Sequence, residues 1–189
     1  MSSEVLFDKR KLKVSPLDIH LLGDRVLRQT AKRITKVDEE IRTLARQMLQ
    51  TMYAADGIGL AAPQVAIAKQ LIVIDVDPEE ASNPPMVLVN PIIRNHSRDL
   101  SLGQEGCLSI PGVYLDVQRP ELIEVAYKDD QGRPQRLVAT DLLSRVIQHE
   151  MDHLAGVMFV DRVENSLLLN QALTKQGFAK RAVKPIAKT

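Results

Sequence analysis

The chain has 189 residues, of which 44% are apolar and 26% are charged, and this is enough apolar material for one domain with a sizeable core. The formal net charge is only +1, so we expect neither a broad basic field for nucleic acid nor an acidic tail. Aromatic residues make up 3%, which argues against base-stacking platforms and aromatic sugar-binding clefts, and the single cysteine, Cys107, excludes an intramolecular disulfide.

The first segment, residues 1–37, contains basic clusters and Pro16 without a clean periodicity, and predicts an extended arm with short elements. Charged residues near the N-terminus stand where a signal peptide needs its apolar centre, and the acidic residues Glu4 and Asp8 argue against a transit peptide. Later apolar stretches are too short to span a bilayer. We therefore expect a cytoplasmic protein without a membrane partner; a processed form in an organelle stroma or matrix is the alternative.

A helix is predicted from Asp38, a good N-cap, to a point shortly before Gly57. Its apolar residues recur at helical spacing: Ile41, Leu44, Met48, Leu49 and Met52. Two short apolar runs rich in β-branched residues, 71–76 and 86–89, predict strands separated by the turn-rich segment 77–85. We expect Asn90 and Pro91 to interrupt the second strand.

The second half of the chain predicts a β-hairpin and two helices. Residues 122–127 and 135–139 are the strands of the hairpin, with a glycine in the loop. Thr140 or Asp141 can cap a helix that ends near Gly156, and a third helix begins near 164–166. Without a repeat or a long linker, the chain is one α+β domain over 1–189, with its core at about 16–165 and a C-terminal helix and basic tail over 166–189.

The strongest chemical signal is the segment 148–153, Gln-His-Glu-Met-Asp-His. Residues four apart share one face of a helix, so His149 and His153 can reach one metal ion. Glu150 points about 100° further round the helix and can act as a general base toward a water molecule beside the metal. The pattern predicts a metal hydrolase but does not identify its substrate.

A catalytic metal site needs a third protein ligand and keeps one position for water. One candidate is a downstream carboxylate, Glu164, as in thermolysin-like peptidases. The other is Cys107, which follows Gly106 in a segment that can bring a sulfur close to a metal. Cys107 as a nucleophile is a third option, but it would leave the paired histidines and Glu150 unexplained.

The segment 56–64 follows the first long helix and contains two glycines and two alanines before Gln64. Small residues permit close approach of the backbone, and the Gln64 amide can donate a hydrogen bond to a polarised substrate carbonyl. The segment lacks the third glycine, the lysine and the preceding strand of a phosphate-binding loop. A plain turn between a helix and a loop is the alternative.

Three segments together resemble one family, the peptide deformylases. They are 57–64 (Gly-Ile-Gly-Leu-Ala-Ala-Pro-Gln), 105–109 (Glu-Gly-Cys-Leu-Ser) and 148–153, in matching order and spacing, within a resemblance that spans about 16–165. The resemblance implies an α+β fold in which short, mostly antiparallel sheets pack around the helix that carries the histidines. It also implies removal of the formyl group from the N-terminal formylmethionine of newly synthesised polypeptides, with release of formate.

The resemblance implies roles for individual positions of this chain. Cys107, His149 and His153 would be the metal ligands, with water in the fourth position. Glu150 would take a proton from that water and later deliver one to the leaving amine. Family members use Fe²⁺ natively, and Zn²⁺ or Ni²⁺ can substitute.

Other positions would contact the substrate. By the same resemblance, Gln64 and the backbone N–H of Leu108 would hold the oxyanion that develops on the formyl group. Gly59, through its backbone, would help to hold the substrate chain extended. We expect the pocket for the methionine side chain to use Ile58, Leu142 and Val146.

The expected partners are N-formylmethionyl nascent chains, with no sequence-specific nucleic acid. The C-terminal segment 165–189 carries five basic residues, Lys175, Lys180, Arg181, Lys184 and Lys188, and no acidic residue. One interpretation is a solvated tail; the other is electrostatic contact with ribosomal RNA near the emerging chain.

Two other functions fit parts of the sequence. A zinc endopeptidase would use Glu164 as the third ligand and would keep its metal without Cys107. A non-catalytic protein with a structural metal would keep its function without Glu150.

Overall fold

The computed structural model describes residue 9, residues 11–80 and residues 82–186. Within them, seven strands form a five-stranded antiparallel sheet in the order β1-β2-β3-β6-β7 and a two-stranded antiparallel sheet of β4 and β5. The strands are β1 (Gly59–Ala61), β2 (Leu71–Ile74), β3 (Met86–His96), β4 (Leu100–Cys107), β5 (Ile110–Pro120), β6 (Leu122–Lys128) and β7 (Pro134–Thr140). The fold is α+β, as the sequence predicts.

The first helix, α1 (Glu39–Ala54), begins where the sequence predicts because the Asp38 carboxylate accepts the Ile41 N–H. Its apolar face is buried against β1 and β2 in the first core cluster. Met48 and Met52 are fully buried at its centre. The helix therefore fixes the position of the glycine-rich segment that follows it.

Strand β3 does not stop at Asn90 and Pro91, and the prediction of an interruption there was wrong. Asn90 takes a left-handed φ of 52°, and the pairing of β3 with β6 shifts register between Val89 and Ile92. The Asn90 side chain accepts the Ile34 N–H and donates to the Ile34 carbonyl. The extra residues form a bulge, which accommodates a proline that cannot donate to the ladder.

The hairpin of β4 and β5 is absent from the sequence-based prediction. Val113, Leu115 and Val117 alternate with polar residues in β5, which is a strand signal. Val113 and Val117 are buried in a third core cluster, around Phe159. The turn of this hairpin, residues 108–109, directly follows Cys107. The predicted hairpin of 122–127 and 135–139 is confirmed as β6 and β7.

The second helix, α2 (Asp141–Leu154), lies between the two sheets and contacts strands of both. The Thr140 side chain makes no capping bond to the helix backbone and donates instead to the Asp141 carboxylate. The third helix, α3 (Ser166–Lys175), begins after Asn165, whose side chain accepts the Leu168 N–H. Among the described residues, no helix has both the length and the apolar character that crossing a membrane requires.

Past α3 the chain stays attached to the body of the protein. The Asp161 carboxylate accepts the Lys184 N–H, and the Asp161 carbonyl accepts the Ile186 N–H. Arg28 pairs with Asp161 and donates to the Ala182 carbonyl. The basic side chains of this segment from Lys175 to Lys184 are therefore carried on an anchored chain, whereas Lys188 lies outside the described residues.

Gly156 ends α2 with a φ of 73°, and a Cβ there would lie 2.7 Å from the Arg28 carbonyl oxygen. We expect Gly156→Ala to lower the free energy of unfolding by about 2–4 kcal/mol, because strain in the left-handed region and a clash with backbone add together. Urea denaturation measures this loss.

Gly177→Ala is the matched control, since Gly177 has a φ of 77° with nothing within 4 Å of the added carbon. It should cost only the strain, about 1–2 kcal/mol. Equal losses in the two variants would contradict the role assigned to the contact with Arg28.

Candidate metal centre

Three side chains from two distant segments converge on one point. The ligand atoms of Cys107, His149 and His153 all lie within 4.8 Å of one another, and this is the group of three that could hold a metal among the described residues. Cys107 comes from the end of β4, and the histidines are four residues apart on α2. Glu164 is exposed and is not part of the group, so the geometry favours the cysteine as the third ligand.

The donor set fits a first-row divalent metal. Thiolate and imidazole ligands of a tetrahedral ion at about 2.3 and 2.0 Å stand about 3.5 Å apart. Cys107 Sγ lies 3.3 Å from His153 Nε2, which leaves room for such an ion between them. Burial holds the pKa of His153 well below its usual value, so this imidazole is neutral, as a metal ligand must be.

His149 is oriented by Glu105. Its Nδ1 lies 2.9 Å from Glu105 Oε2, which leaves Nε2 as the nitrogen for a metal. The ring stacks on buried Phe159, with centroids 5.8 Å apart. A carboxylate on one nitrogen and an aromatic face on the ring together fix where the other nitrogen points.

Two arginines hold Glu105 in turn. Arg119 donates to both carboxylate oxygens at 2.8 Å, and Arg145 donates to Oε1 at 2.9 Å. Burial raises the pKa of Glu105, but the hydrogen bonds from Arg119 and His149 outweigh it and hold the pKa well below its usual value. The carboxylate therefore stays ionised inside the protein and can accept the His149 N–H.

Asp152, inside the His-Glu-x-x-His segment, closes the network from the helix side. It accepts from Arg119 Nη1 at 2.6 Å and from Arg162 Nε at 2.6 Å. Arg119 therefore bridges β4 and α2 through two carboxylates, one from each element. The bridge fixes the two segments that carry the three ligands relative to each other.

Glu150 lies in the same pocket and is only 4% exposed. Its Oε2 makes no hydrogen bond to any described residue. Burial raises its pKa to about 7, a value suited to a group that takes up and releases a proton near neutrality. A Cβ at Gly59 would collide with Glu150 Oε1 and lie 2.9 Å from Val146, so only glycine at 59 leaves room for this carboxylate.

Gln64 faces the cysteine with its amide nitrogen. Its Oε1 accepts the Ala61 N–H at 2.8 Å, and its Nε2 lies 3.5 Å from Cys107 Sγ and 3.1 Å from Ser109 Oγ. The bond from Ala61 fixes which end of the amide points inward.

Leu108 lies in the turn after Cys107, and its side chain reaches Gly57 so closely that a Cβ there would lie 2.7 Å away.

The three residues expected to line a side-chain pocket differ in burial. Val146 is buried next to Gly59, and Ile58 is half-buried against the second core cluster. Leu142, at the start of α2, is 49% exposed. The structure thus brings Ile58 and Val146 to the same cluster and leaves Leu142 with much of its surface in solvent.

The residues that orient the ligands were missed by sequence analysis. Glu105 and Asp152 lie inside the recognised motifs and could have been noticed there as carboxylates without an assigned role. Arg119, Arg145 and Phe159 carry no local signal, because their partners are distant in sequence.

Comparisons with known proteins agree on one family. The family described as polypeptide deformylase matches residues 16–167. Peptide deformylase 1 of a Nostoc species is 67% identical over 187 residues, which cover 99% of this chain and 100% of that protein. The peptide deformylase of Thermosynechococcus vestitus is 60% identical with the same coverage.

Solved structures show the same fold. A peptide deformylase from Synechococcus elongatus in complex with actinonin is 66% identical, with a TM-score of 0.94 over 96% of this chain and 99% of that chain. A Met-Ala-Ser-bound peptide deformylase from Acinetobacter baumannii is 35% identical, with a TM-score of 0.72 over 78% of this chain and 98% of that chain.

The network around Glu105 makes a prediction about metal affinity. In Glu105→Gln the carboxamide cannot provide an ionised acceptor for His149 Nδ1, and we expect metal affinity to fall by about 10–100-fold. Competition with a chromogenic chelator measures the affinity. Glu124→Gln, an exposed position on β6, is the control and should bind metal as the wild type does; an unchanged affinity in Glu105→Gln would contradict the orienting role.

Proposed function

This chain belongs to the polypeptide deformylase family, and from that premise we propose the metal and the residue roles by which it works. It hydrolyses the N-formyl group of N-formylmethionyl polypeptides and releases formate, as its family does. The observation that carries the residue assignment is the convergence of one cysteine sulfur and two imidazoles beside a buried, unpaired carboxylate oxygen.

We propose that Cys107, His149 and His153 hold Fe²⁺, for which Zn²⁺ or Ni²⁺ can substitute. A divalent cation in this position supplies Lewis acidity, which lowers the pKa of water and polarises a carbonyl. Mixed sulfur and nitrogen donors suit several of these ions, so the choice of iron rests on the family.

Glu150 is the proton carrier of the proposal. Its unpaired Oε2 accepts a proton from the attacking water, and the same oxygen then delivers that proton to the amine as the C–N bond breaks. A pKa of about 7 suits both steps. Because the site is buried, the carboxylate does not lose the proton to bulk solvent between them.

Gln64 and the backbone N–H of Leu108 stabilise the negative charge that develops on the formyl oxygen. The Gln64 Nε2 lies 3.5 Å from Cys107 Sγ, so this donor already faces the proposed metal ligands. A donor held in place before the reaction needs no reorganisation as the charge forms.

The substrate chain would lie along Gly59, whose backbone has no side chain between it and Glu150. We place the methionine side chain against Ile58, Val146 and Leu142, of which the exposed Leu142 would gain burial when the pocket is filled. The Acinetobacter baumannii relative, solved with Met-Ala-Ser bound, supports a peptide that begins with methionine.

We also propose that the protein works in the cytoplasm and that its basic C-terminal segment contacts ribosomes. Lys180 and Arg181 are exposed on a chain anchored through Asp161. Ribosome pelleting of a K180Q/R181Q variant should fall at low salt and match the wild type at high salt, because exposed charge contacts are screened. Equal pelleting at low salt would contradict this contact.

Glu150→Gln separates metal binding from chemistry. We expect metal content to stay near the wild-type level and formate release from formyl-Met-Ala-Ser to fall by about 10²–10⁴-fold, since the amide cannot accept a proton. The assay is run anaerobically with metal analysis of the same sample. A metal-loaded wild type that releases no formate would overturn the proposed activity, and an active Glu150→Gln would overturn the role of this residue.

Cys107→Ser and Glu164→Gln distinguish the deformylase from a zinc endopeptidase. The deformylase site should lose most of its metal and its activity in Cys107→Ser, because a serine hydroxyl is a far weaker ligand than a thiolate. Glu164→Gln should keep both. The reverse pattern of metal content would favour the peptidase.

A further inference from the structure

A groove of about 560 Å³ crosses the five-stranded sheet at β3, β6 and β7, separate from the metal centre. Ten residues line it: Arg33, Asn90, Ile92, Arg94, Ala126, Tyr127, Lys128, Pro134, Gln135 and Arg136. Four of the ten are basic and none is acidic. Such a lining departs sharply from a chain whose formal net charge is +1.

The register of the sheet places the three basic residues of the strands, Arg94, Lys128 and Arg136, at different positions along the groove. Ala126 lies opposite Ile92 on one side and Arg136 on the other. Lys128 follows Ala126 by two residues in β6, and Arg94 follows Ile92 by two residues in β3. Because β3 and β6 are antiparallel, these two cations lie on opposite sides of the pair formed by Ile92 and Ala126. At about 3.3 Å per residue, Arg94 and Lys128 are separated by about 13 Å along the strands, with Arg136 between them.

The four cations are available to a ligand. None of Arg33, Arg94, Lys128 and Arg136 forms a salt bridge with any residue in the described part of the chain. Of the nearby carboxylates, Asp129 already accepts from Arg133 and Gln135. Glu124 lies two residues along β6 from Ala126 and is not part of the lining. The positive charge of the groove is therefore largely uncompensated.

The groove is also built on a rigid support. Asn90, buried in its wall, exchanges two hydrogen bonds of 2.8 Å with the backbone of Ile34. These bonds hold the N-terminal arm against the bulge of β3. Because Arg33 directly precedes Ile34, they also fix Arg33 next to the basic residues of the strands. The charges stand on a preformed surface, which lowers the ordering cost of binding.

We propose that this groove binds the phosphate backbone of RNA without sequence specificity. Several cations spread along a concave surface match a chain of phosphates better than one phosphate group. A concave shape with a tyrosine in its lining favours a nucleic acid strand over a flat lipid surface. The inference adds to the proposed function, because nascent chains emerge from an assembly rich in RNA, and it is separate from the C-terminal segment.

The test measures binding of a fluorescent single-stranded uridine oligomer to metal-loaded enzyme by anisotropy. Each cation that contacts a phosphate of a single strand contributes about −0.7 to the slope of the logarithm of the binding constant against the logarithm of the salt concentration. With four such contacts, raising the salt from 50 to 200 mM should weaken binding about 50-fold. In R94Q/R136Q the same change of salt should weaken binding only about sevenfold. At 50 mM salt the variant should bind at least about tenfold more weakly than the wild type.

Two variants of equal charge change serve as controls. R42Q/R46Q removes two arginines of α1 that pair with Glu39, and K180Q/R181Q alters the C-terminal segment. The proposal requires R94Q/R136Q to lose much more RNA affinity than R42Q/R46Q, with its thermal midpoint and formate release unchanged. The proposal is overturned if R94Q/R136Q and R42Q/R46Q lose RNA affinity equally, or if only K180Q/R181Q loses it. Binding of anionic phospholipid vesicles in place of RNA would also overturn it.

Formate release is an independent readout of the proposed function. If the wild type binds RNA through the groove but releases no formate, the groove proposal stands and the enzymatic proposal fails. If RNA binding is absent and formate release is normal, the groove proposal fails and the enzymatic proposal stands.

Discussion

The Glu105 carboxylate is the constraint on which the metal centre depends. It is buried, it is held by Arg119 and Arg145, and it accepts the Nδ1 proton of His149. Replacing such a buried ionic cluster by apolar residues is often neutral or stabilising, so stability alone does not explain it. Its effect is geometric: it joins the strand that carries Cys107 to the helix that carries both histidines, and it directs the Nε2 of His149.

Arg145 extends this constraint along the hairpin of β4 and β5. It donates to the backbone carbonyls of Ser101, Gly103 and Val117 as well as to Glu105. A side chain at Gly103 would collide with the guanidinium. One arginine of α2 thus fastens both strands of the smaller sheet to the helix, and the turn with Cys107 and Leu108 is held in place by bonds far from the metal.

The net charge of the chain does not show where its charged residues lie. Inside, two carboxylates and three arginines form the compact network around Glu105 and Asp152. Outside, four cations without ion-pair partners in the described part of the chain gather in the groove across β3, β6 and β7, and others lie on the C-terminal segment. The expectation that a charge of +1 excludes a broad basic field is compatible with this arrangement, since the groove is a local feature.

The sequence by itself determined the chemistry, the family, the three helices and the hairpin of β6 and β7, because these depend on short-range spacing. The pair His149 and His153 follows from the helical period, and the start of α1 follows from the Asp38 cap. Tertiary structure brought Cys107, and not Glu164, to within 4.8 Å of the ligand atoms of both histidines, and it placed the buried Glu150 carboxylate beside Gly59. It also carried β3 past Asn90, because a side-chain bond to Ile34 stabilises a backbone conformation that local preference disfavours. Arg119, Arg145 and Phe159 act only through partners distant in the chain, and the four cations of the groove meet only through strand pairing.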